Sequence, residues 1–174
     1  MSRIAVGAVA AAALVASAAC DGMSAAEKQY DDGVQLQAEN KTDEAIVAYS
    51  EAISLDPTMA QAYNNRGFAY HQLGDYESAI ADYDVAIRIQ PEVALFYNNR
   101  AGVHQTMGEH EAALLDYDEA VRLSPNDADL YVNRAGVHAR MGNRAAAQQD
   151  VERAVELGVD RASLQQTIDA IFGR

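Results

Sequence analysis

Lysine is nearly absent from this chain: Lys28 and Lys41 are the only two, and 13 basic residues stand against 26 acidic ones, for a formal charge of −13. No stretch is rich in Lys or Arg. The basic footprint that nucleic-acid phosphates demand is therefore missing, and no nucleic-acid partner is expected. A single cysteine, Cys20, excludes an intrachain disulfide, so an oxidising compartment would neither staple nor damage the domain. Tryptophan does not occur, and only three prolines punctuate the 174 residues. A long apolar run is lacking too. Ile4 to Ala19 is unbroken in small or apolar side chains, but its sixteen residues fall short of the roughly 20 that cross a bilayer as a helix. What is present is ordinary for a globular protein: 49% hydrophobic and 22% charged residues, and enough length for one domain with a sizeable core.

The N-terminal run reads as an export segment, with Arg3 as its only charge. It ends in Leu14-Val15-Ala16-Ser17-Ala18-Ala19-Cys20-Asp21. That arrangement resembles a bacterial lipoprotein signal, which implies removal of residues 1–19, lipidation of Cys20 and a short tether over 20–25. Ser17 stands where the lipoprotein pattern usually has Leu, so ordinary cleavage near Ala19, giving a soluble periplasmic or secreted protein, stays open. Asp21 resembles the inner-membrane retention signal of enteric lipoproteins. The expectation is a protein on the periplasmic face of a bacterial envelope, held to the membrane by its lipid.

Self-comparison dominates the remainder. Tyr63-Asn64-Asn65-Arg66 recurs as Tyr97-Asn98-Asn99-Arg100 and as Tyr131-Val132-Asn133-Arg134, each step being 34 residues. The same offset joins Gly74, Gly108 and Gly142, then Ala79, Ala113 and Ala147, then Ala86, Ala120 and Ala154, then Pro57, Pro91 and Pro125. Tyr63, Gly67, Tyr70, Ala79, Tyr83, Ala86 and Pro91 together resemble the tetratricopeptide repeat. The resemblance implies an all-α, right-handed solenoid of four helix-turn-helix repeats, at 26–59, 60–93, 94–127 and 128–161. Gly67 and Ala79 would let the paired helices approach, Gly74 and Asp75 would turn the chain and cap the second helix, and Pro91 would end it. The first repeat diverges, with Gln29 and Asn40 where the others have Tyr and Gly, but keeps Gly33, Ala45, Tyr49, Ala52 and Pro57. Ser24-Ala25-Ala26-Glu27 is a capping box for its first helix. Leu164, Ile168, Ile171 and Phe172 are spaced as one helical face, so 162–174 should form a capping helix.

In the family, the first helix of each repeat lines a concave groove that binds partners. Charge divides along the same line: 62–73, 96–107 and 130–141 contain no Asp or Glu, whereas 109–124 contains five acids. The groove should therefore be near neutral and the acidity mostly an outer face. A helical wheel puts Asn64, Asn65, Phe68, His71 and Gln72 on the groove side, followed by Asn98, Asn99, Gly102 and Gln105, then Asn133, Gly136 and Arg140. Asn65, Asn99 and Asn133 recur one repeat apart. A row of amides offers donors and acceptors to the backbone of an extended peptide with little regard to its sequence. It resembles the asparagine ladder in the repeat domain of O-GlcNAc transferase. The same amides could instead bond only between neighbouring helices. Gly102 and Gly136 would let a ligand backbone come close.

The carboxylate clamp of the family's chaperone-binding members needs Lys and Arg in the groove; here it offers chiefly Arg140, so a Glu-Glu-Val-Asp type tail is not an expected ligand. His104 and His138 replace the ring of Tyr70. Side chains one repeat apart lie roughly 10 Å apart, whereas zinc ligands sit about 2.1 Å from one ion, so packing is expected and no metal. Ser50, Ser54, Ser78 and Ser124 fall on second helices or their ends and His71, His104 and His138 on first helices, so no nucleophile meets a base. No enzyme activity, cofactor or small-molecule substrate is expected. The leading expectation is an adaptor for a protein or peptide partner; the alternative is a structural component of an envelope or secretion assembly, contacting through its ends and convex wall.

One pattern concerns architecture. Arg66, Arg100 and Arg134 turn about 100° from the neighbouring Asn, away from the groove. Asp82, Asp116 and Asp150 share their spacing, and the first repeat has lost both partners at once, to Asp32 and Ala48. Pairing within a repeat, Arg66 with Asp82, Arg100 with Asp116 and Arg134 with Asp150, satisfies all three.

Overall fold

A computed structural model describes residues 22–173. Among them are nine α-helices and no strand: α1 (Ala25–Ala38), α2 (Thr42–Leu55), α3 (Ala60–Leu73), α4 (Tyr76–Ile89), α5 (Ala94–Met107), α6 (His110–Leu123), α7 (Ala128–Arg140), α8 (Arg144–Glu156) and α9 (Arg161–Phe172). The N-terminal apolar run read as an export segment, Cys20, Asp21 and Arg174 lie outside the described residues.

The second helices α2, α4 and α6 each bury a narrow stripe of small side chains around one tyrosine, Tyr49, Tyr83 and Tyr117. In α4 the buried residues are Ala79, Asp82, Tyr83 and Ala86, the i, i+3, i+4, i+7 positions of one helical face. The paired helix approaches because it carries Gly67 there: a Cβ on that glycine would lie 3.1 Å from the Ala79 carbonyl oxygen and 3.2 Å from the Tyr83 ring. Tyr49 closes even more tightly on Gly33, 2.6 Å from where a Cβ would stand. The turns follow from backbone conformation. Gly74 and Gly108 end α3 and α5 at φ +80°, a left-handed conformation open to glycine at no steric cost, and Asn40 takes φ +59° after α1. Ser24 and Glu27 form the expected capping box, the Ser24 amide donating to Glu27 Oε2 (2.6 Å) and the Glu27 amide to Ser24 Oγ (3.1 Å).

Helices pack in consecutive pairs, α1 on α2, α3 on α4, α5 on α6 and α7 on α8, and each second helix also packs on the first helix of the next pair. α1, α3 and α5 meet their neighbours as an inner layer. α9 lies on α7 and α8, burying Leu164 and Ile168 against Tyr131, Ala135 and Val151, with Ile171 and Phe172 at the margin.

The arginine–aspartate pairs form within each repeat. Arg66 donates from Nε and Nη2 to Asp82 (2.8 and 2.7 Å), Arg100 to Asp116 (2.8 and 2.6 Å) and Arg134 to Asp150 (3.0 and 2.7 Å). Each arginine also lies over the tyrosine three residues earlier, 5.6–5.9 Å from the ring centroid. The carboxylates hold all three guanidiniums above their ordinary pKa. The expectation that these arginines bond only inside their own repeat needs correction. Nη1 reaches back to the preceding repeat, to Ser50 Oγ from Arg66 (2.9 Å), to Asp84 from Arg100 and to Asp118 from Arg134 (2.8 Å). A planar fork has a donor left over after a bidentate pair, and the adjacent outer helix supplies its acceptor.

The series 50, 84, 118 continues at Glu152, and the element that meets it is α9. Arg161, at the start of α9, bonds Glu152 through both Nη atoms, Nη1 at 2.7 Å. The capping helix thus reproduces the inter-repeat contact.

Arg100→Ala should cost about 1–3 kcal/mol, because buried Asp116 is left unmatched, whereas Asp84→Ala, an exposed partner, should cost less than about 1 kcal/mol; urea denaturation of the two variants measures the difference. Arg161 depresses the Glu152 pKa from its ordinary 4.5 to about 2. A depressed carboxylate stabilises the fold above its unfolded pKa and loses that contribution as pH falls through the folded one. The gap in α9 amide-exchange protection between wild type and Glu152→Gln should therefore be full at about pH 6 and vanish between 4.5 and about 2.

Candidate functional site

The inner face is built from the second and third residues of each Tyr-Asn-Asn-Arg segment. The arginine turns outward to its carboxylates, so the two positions before it face the groove at successive 100° steps. The amides run as one directional chain. Asn133 Nδ2 donates to Asn98 Oδ1 (3.0 Å), Asn98 to Asn99 (3.4 Å), Asn99 to Asn64 (2.9 Å), Asn64 to Asn65 (3.0 Å) and Asn65 to the Tyr30 hydroxyl (3.1 Å). The rungs expected at Asn65, Asn99 and Asn133 do not bond each other; both amide–amide contacts between repeats join the second position of one segment to the first of the one before, and Asn65 meets Tyr30 instead. Each amide in the middle of the chain spends one N–H and one acceptor site on its neighbours, and the half-exposed Asn98 and Asn99 keep one of each for a ligand. Asn64 is buried and serves the chain from beneath, while Asn65, Asn98, Asn99 and Asn133 are half-exposed.

Around the amides, Phe68 is 40% exposed and Val34, one repeat earlier, 42%. The wheel included Phe68 but not Val34, although the 34-residue offset points to it. The same row continues with Gly102 and Gly136, which differ. A Cβ at Gly102 would meet nothing within 4 Å, so the groove is open there, whereas at Gly136 the Arg140 Nη1 lies 3.3 Å away. Arg140 donates back to the Gly136 carbonyl (3.1 Å) and fills the space expected for a ligand backbone. Gln105 accepts from the Tyr117 hydroxyl (3.3 Å), as Gln37 does from Tyr49 (2.7 Å). His71 takes that place in the second repeat; it packs edge-on to Tyr76 at 5.8 Å, and burial holds its imidazole below the ordinary pKa. Gln72 is exposed.

His104 and His138 lie beside the clamp, their Nε2 atoms 4.0 Å from Asp116 and Asp150, and His104 Nδ1 meets Glu109 at 2.7 Å. Among the described residues no group of three or more His, Cys, Asp or Glu could hold a metal ion.

The acid-free character of 96–107 and 130–141 does not extend to the N-terminal ends of their helices. Between the N-terminal ends of α5 and α7 opens a cavity of about 500 Å³ whose lining includes Glu92, Leu95, Asn98, Asp127, Asp129 and Leu130. The acids that charge it, at 92, 127 and 129, precede the acid-free stretches.

Asn99→Ala should destabilise the fold by about 1–3 kcal/mol, since it strips buried Asn64 of its donor, and Asn133→Ala, whose acceptor is half-exposed, by less. Thermal melts check both; unchanged melting of Asn99→Ala would show that the amide bonds contribute nothing to stability.

Models described as TPR repeat match residues 33–74 and 106–142, and models described as tetratricopeptide repeat match 60–93 and 128–157. No curated protein sequence matches the chain. Among solved structures it is similar to MamA, at 24% identity and a TM-score of 0.73 over 76% of this chain and 78% of that one. It is also similar to MamA 41-end from Desulfovibrio magneticus RS-1, at 17% and 0.71 over 76% and 75%. The first TPR of Spaghetti (RPAP3), bound to the HSP90 peptide SRMEEVD, gives 23% and 0.65 over 67% and 93%. At these identities the likeness is one of fold. The 34-residue period, the paired helices and the family matches agree, and the chain belongs to the tetratricopeptide-repeat family.

Proposed function

We propose that this chain is a protein-interaction scaffold whose concave groove holds an extended peptide segment of a partner protein, and that lipid on Cys20 tethers it at the periplasmic face of a bacterial envelope. The open space above Gly102 carries the reading. It lies beside half-exposed amides with donors and acceptors in reserve, and one repeat along from exposed Phe68. A peptide backbone needs close approach and alternating hydrogen-bond partners, and its side chains need apolar area; that stretch of the groove supplies all three. RPAP3's first TPR, similar in fold, is seen with a peptide, which supports the same use of the fold here. The tether rests on the placement of Cys20 at the end of the apolar run. A multiply acylated cysteine would anchor stably, each buried methylene contributing about 0.8 kcal/mol.

A second reading, a structural component of a larger assembly, draws on the outer wall. Leu115 and Val47, at equivalent positions of α6 and α2, are 73% and 66% exposed, the largest exposures among the large hydrophobic side chains of the described residues.

A Cβ at Gly102 meets nothing within 4 Å, so Gly102→Trp should project into the groove, leave the melting temperature no lower and reduce partner capture from envelope extracts at least about tenfold. Leu115→Glu should leave capture intact; the reverse pattern would favour the structural reading. Cys20→Ala should shift the protein from the membrane to the soluble fraction, and wild type recovered wholly soluble after export would contradict the tether.

A further inference from the structure

We propose that the cavity between the N-terminal ends of α5 and α7 seats the Arg or Lys side chain of the extended peptide; this rests on the groove-binding reading above. The lining is of two kinds. Leu95, 52% exposed, and Leu130 give apolar walls, and Glu92, Asp127 and Asp129 bring three carboxylates, with the Asn98 amide beside them. A long basic side chain has the matching halves, an aliphatic stem that covers apolar surface and a cationic head that seeks oxygen. The volume of about 500 Å³ leaves room for either residue.

The carboxylates are available. Asp127 spends one oxygen on the Asp129 backbone amide (3.0 Å), capping α7. Among the described residues the side chains of Glu92 and Asp129 have no ion-pair partner, whereas Asp84, Asp118 and Glu152 are each held by an arginine. Arg140, the cation of the groove face, is at the opposite end of α7 and folded onto Gly136. Asn98 belongs both to this lining and to the amide chain, so a backbone lying on the amides passes the cavity mouth. The groove therefore selects a basic residue in an extended segment and opposes an acidic one.

The test exposes the full chain to a phage-displayed library of random 12-residue peptides, then measures selected peptides made synthetically, each also with Arg replaced by citrulline or Lys by norleucine. Selected sequences should share one basic residue beside an apolar one. Removing that charge should weaken binding by about tenfold, as should the double variant Glu92→Gln with Asp129→Asn, and the two changes together should cost little more than either alone. The loss should shrink at high salt. Peptides that lack a basic residue, or bind wild type and the double variant equally, overturn the cavity assignment. If these still lose binding to Gly102→Trp, the groove reading survives without it; if they are indifferent to Gly102→Trp, or if no peptide is selected, both fall.

Discussion

A guanidinium has five N–H donors in a rigid plane, and this solenoid uses that plane in three directions at once. The Nε and Nη2 edge grips the aspartate of the second helix in the same repeat, Nη1 reaches the outer helix of the preceding repeat, and the face rests on a tyrosine. One side chain therefore sets the angle within a helix pair and the step to the next. Because the carboxylates at 82, 116 and 150 are buried, the arginine is required wherever they occur; an unmatched buried charge costs more than the pair gains. Four similar units thereby become one stack, ending in Arg161 on Glu152, where α9 makes the contact a fifth repeat would have made.

The clamp also makes the groove. Arg66, Arg100 and Arg134 turn outward, and helical geometry then directs the preceding residues inward, where their amides join across repeats. Structure and the proposed recognition share the same four-residue segment. The amides are neither purely structural nor purely free. Their mutual bonds fix them in place with part of their capacity unspent, which is how a binding surface avoids ordering its polar groups afresh for each ligand. Burial is graded along the chain, so loss of an inner link such as Asn64 would act first on stability, and loss of an outer one on binding.

Much of this was legible in the residues. The 34-residue offset defined the helix pairs, and the joint replacement of Arg and Asp by Asp32 and Ala48 in the first repeat was enough to pair the clamp correctly. The cap was readable from Leu164 and Ile168. What stayed hidden depends on how one repeat is displaced against the next. A wheel places Asn98 and Asn99 on one face of one helix, but cannot tell which of them meets Asn64 or Asn133. The third arginine contact was masked because the acceptor series begins with Ser50, so charge alone did not reveal the run through Asp84, Asp118 and Glu152. Arg140 folding over Gly136 is a rotamer choice within one helix that no spacing specifies. The cavity at the groove mouth draws Glu92 and Asp127 from the segments between helices and Asp129 from the first turn of α7, outside the stretches whose lack of acids suggested a neutral groove.

The central claim is that the concave face, held in shape by the clamps, is the surface that meets a partner. NMR titration of the ¹⁵N-labelled chain with a peptide from the random 12-residue selection tests it most directly, because the side-chain amides of Asn65, Asn98, Asn99 and Asn133 report on the groove itself. The account predicts that these resonances shift together with the backbone around Phe68 and Gly102, while those of α4, α6 and α8 stay in place. Perturbations confined to the outer helices around Leu115, with the groove amides unmoved, would contradict it.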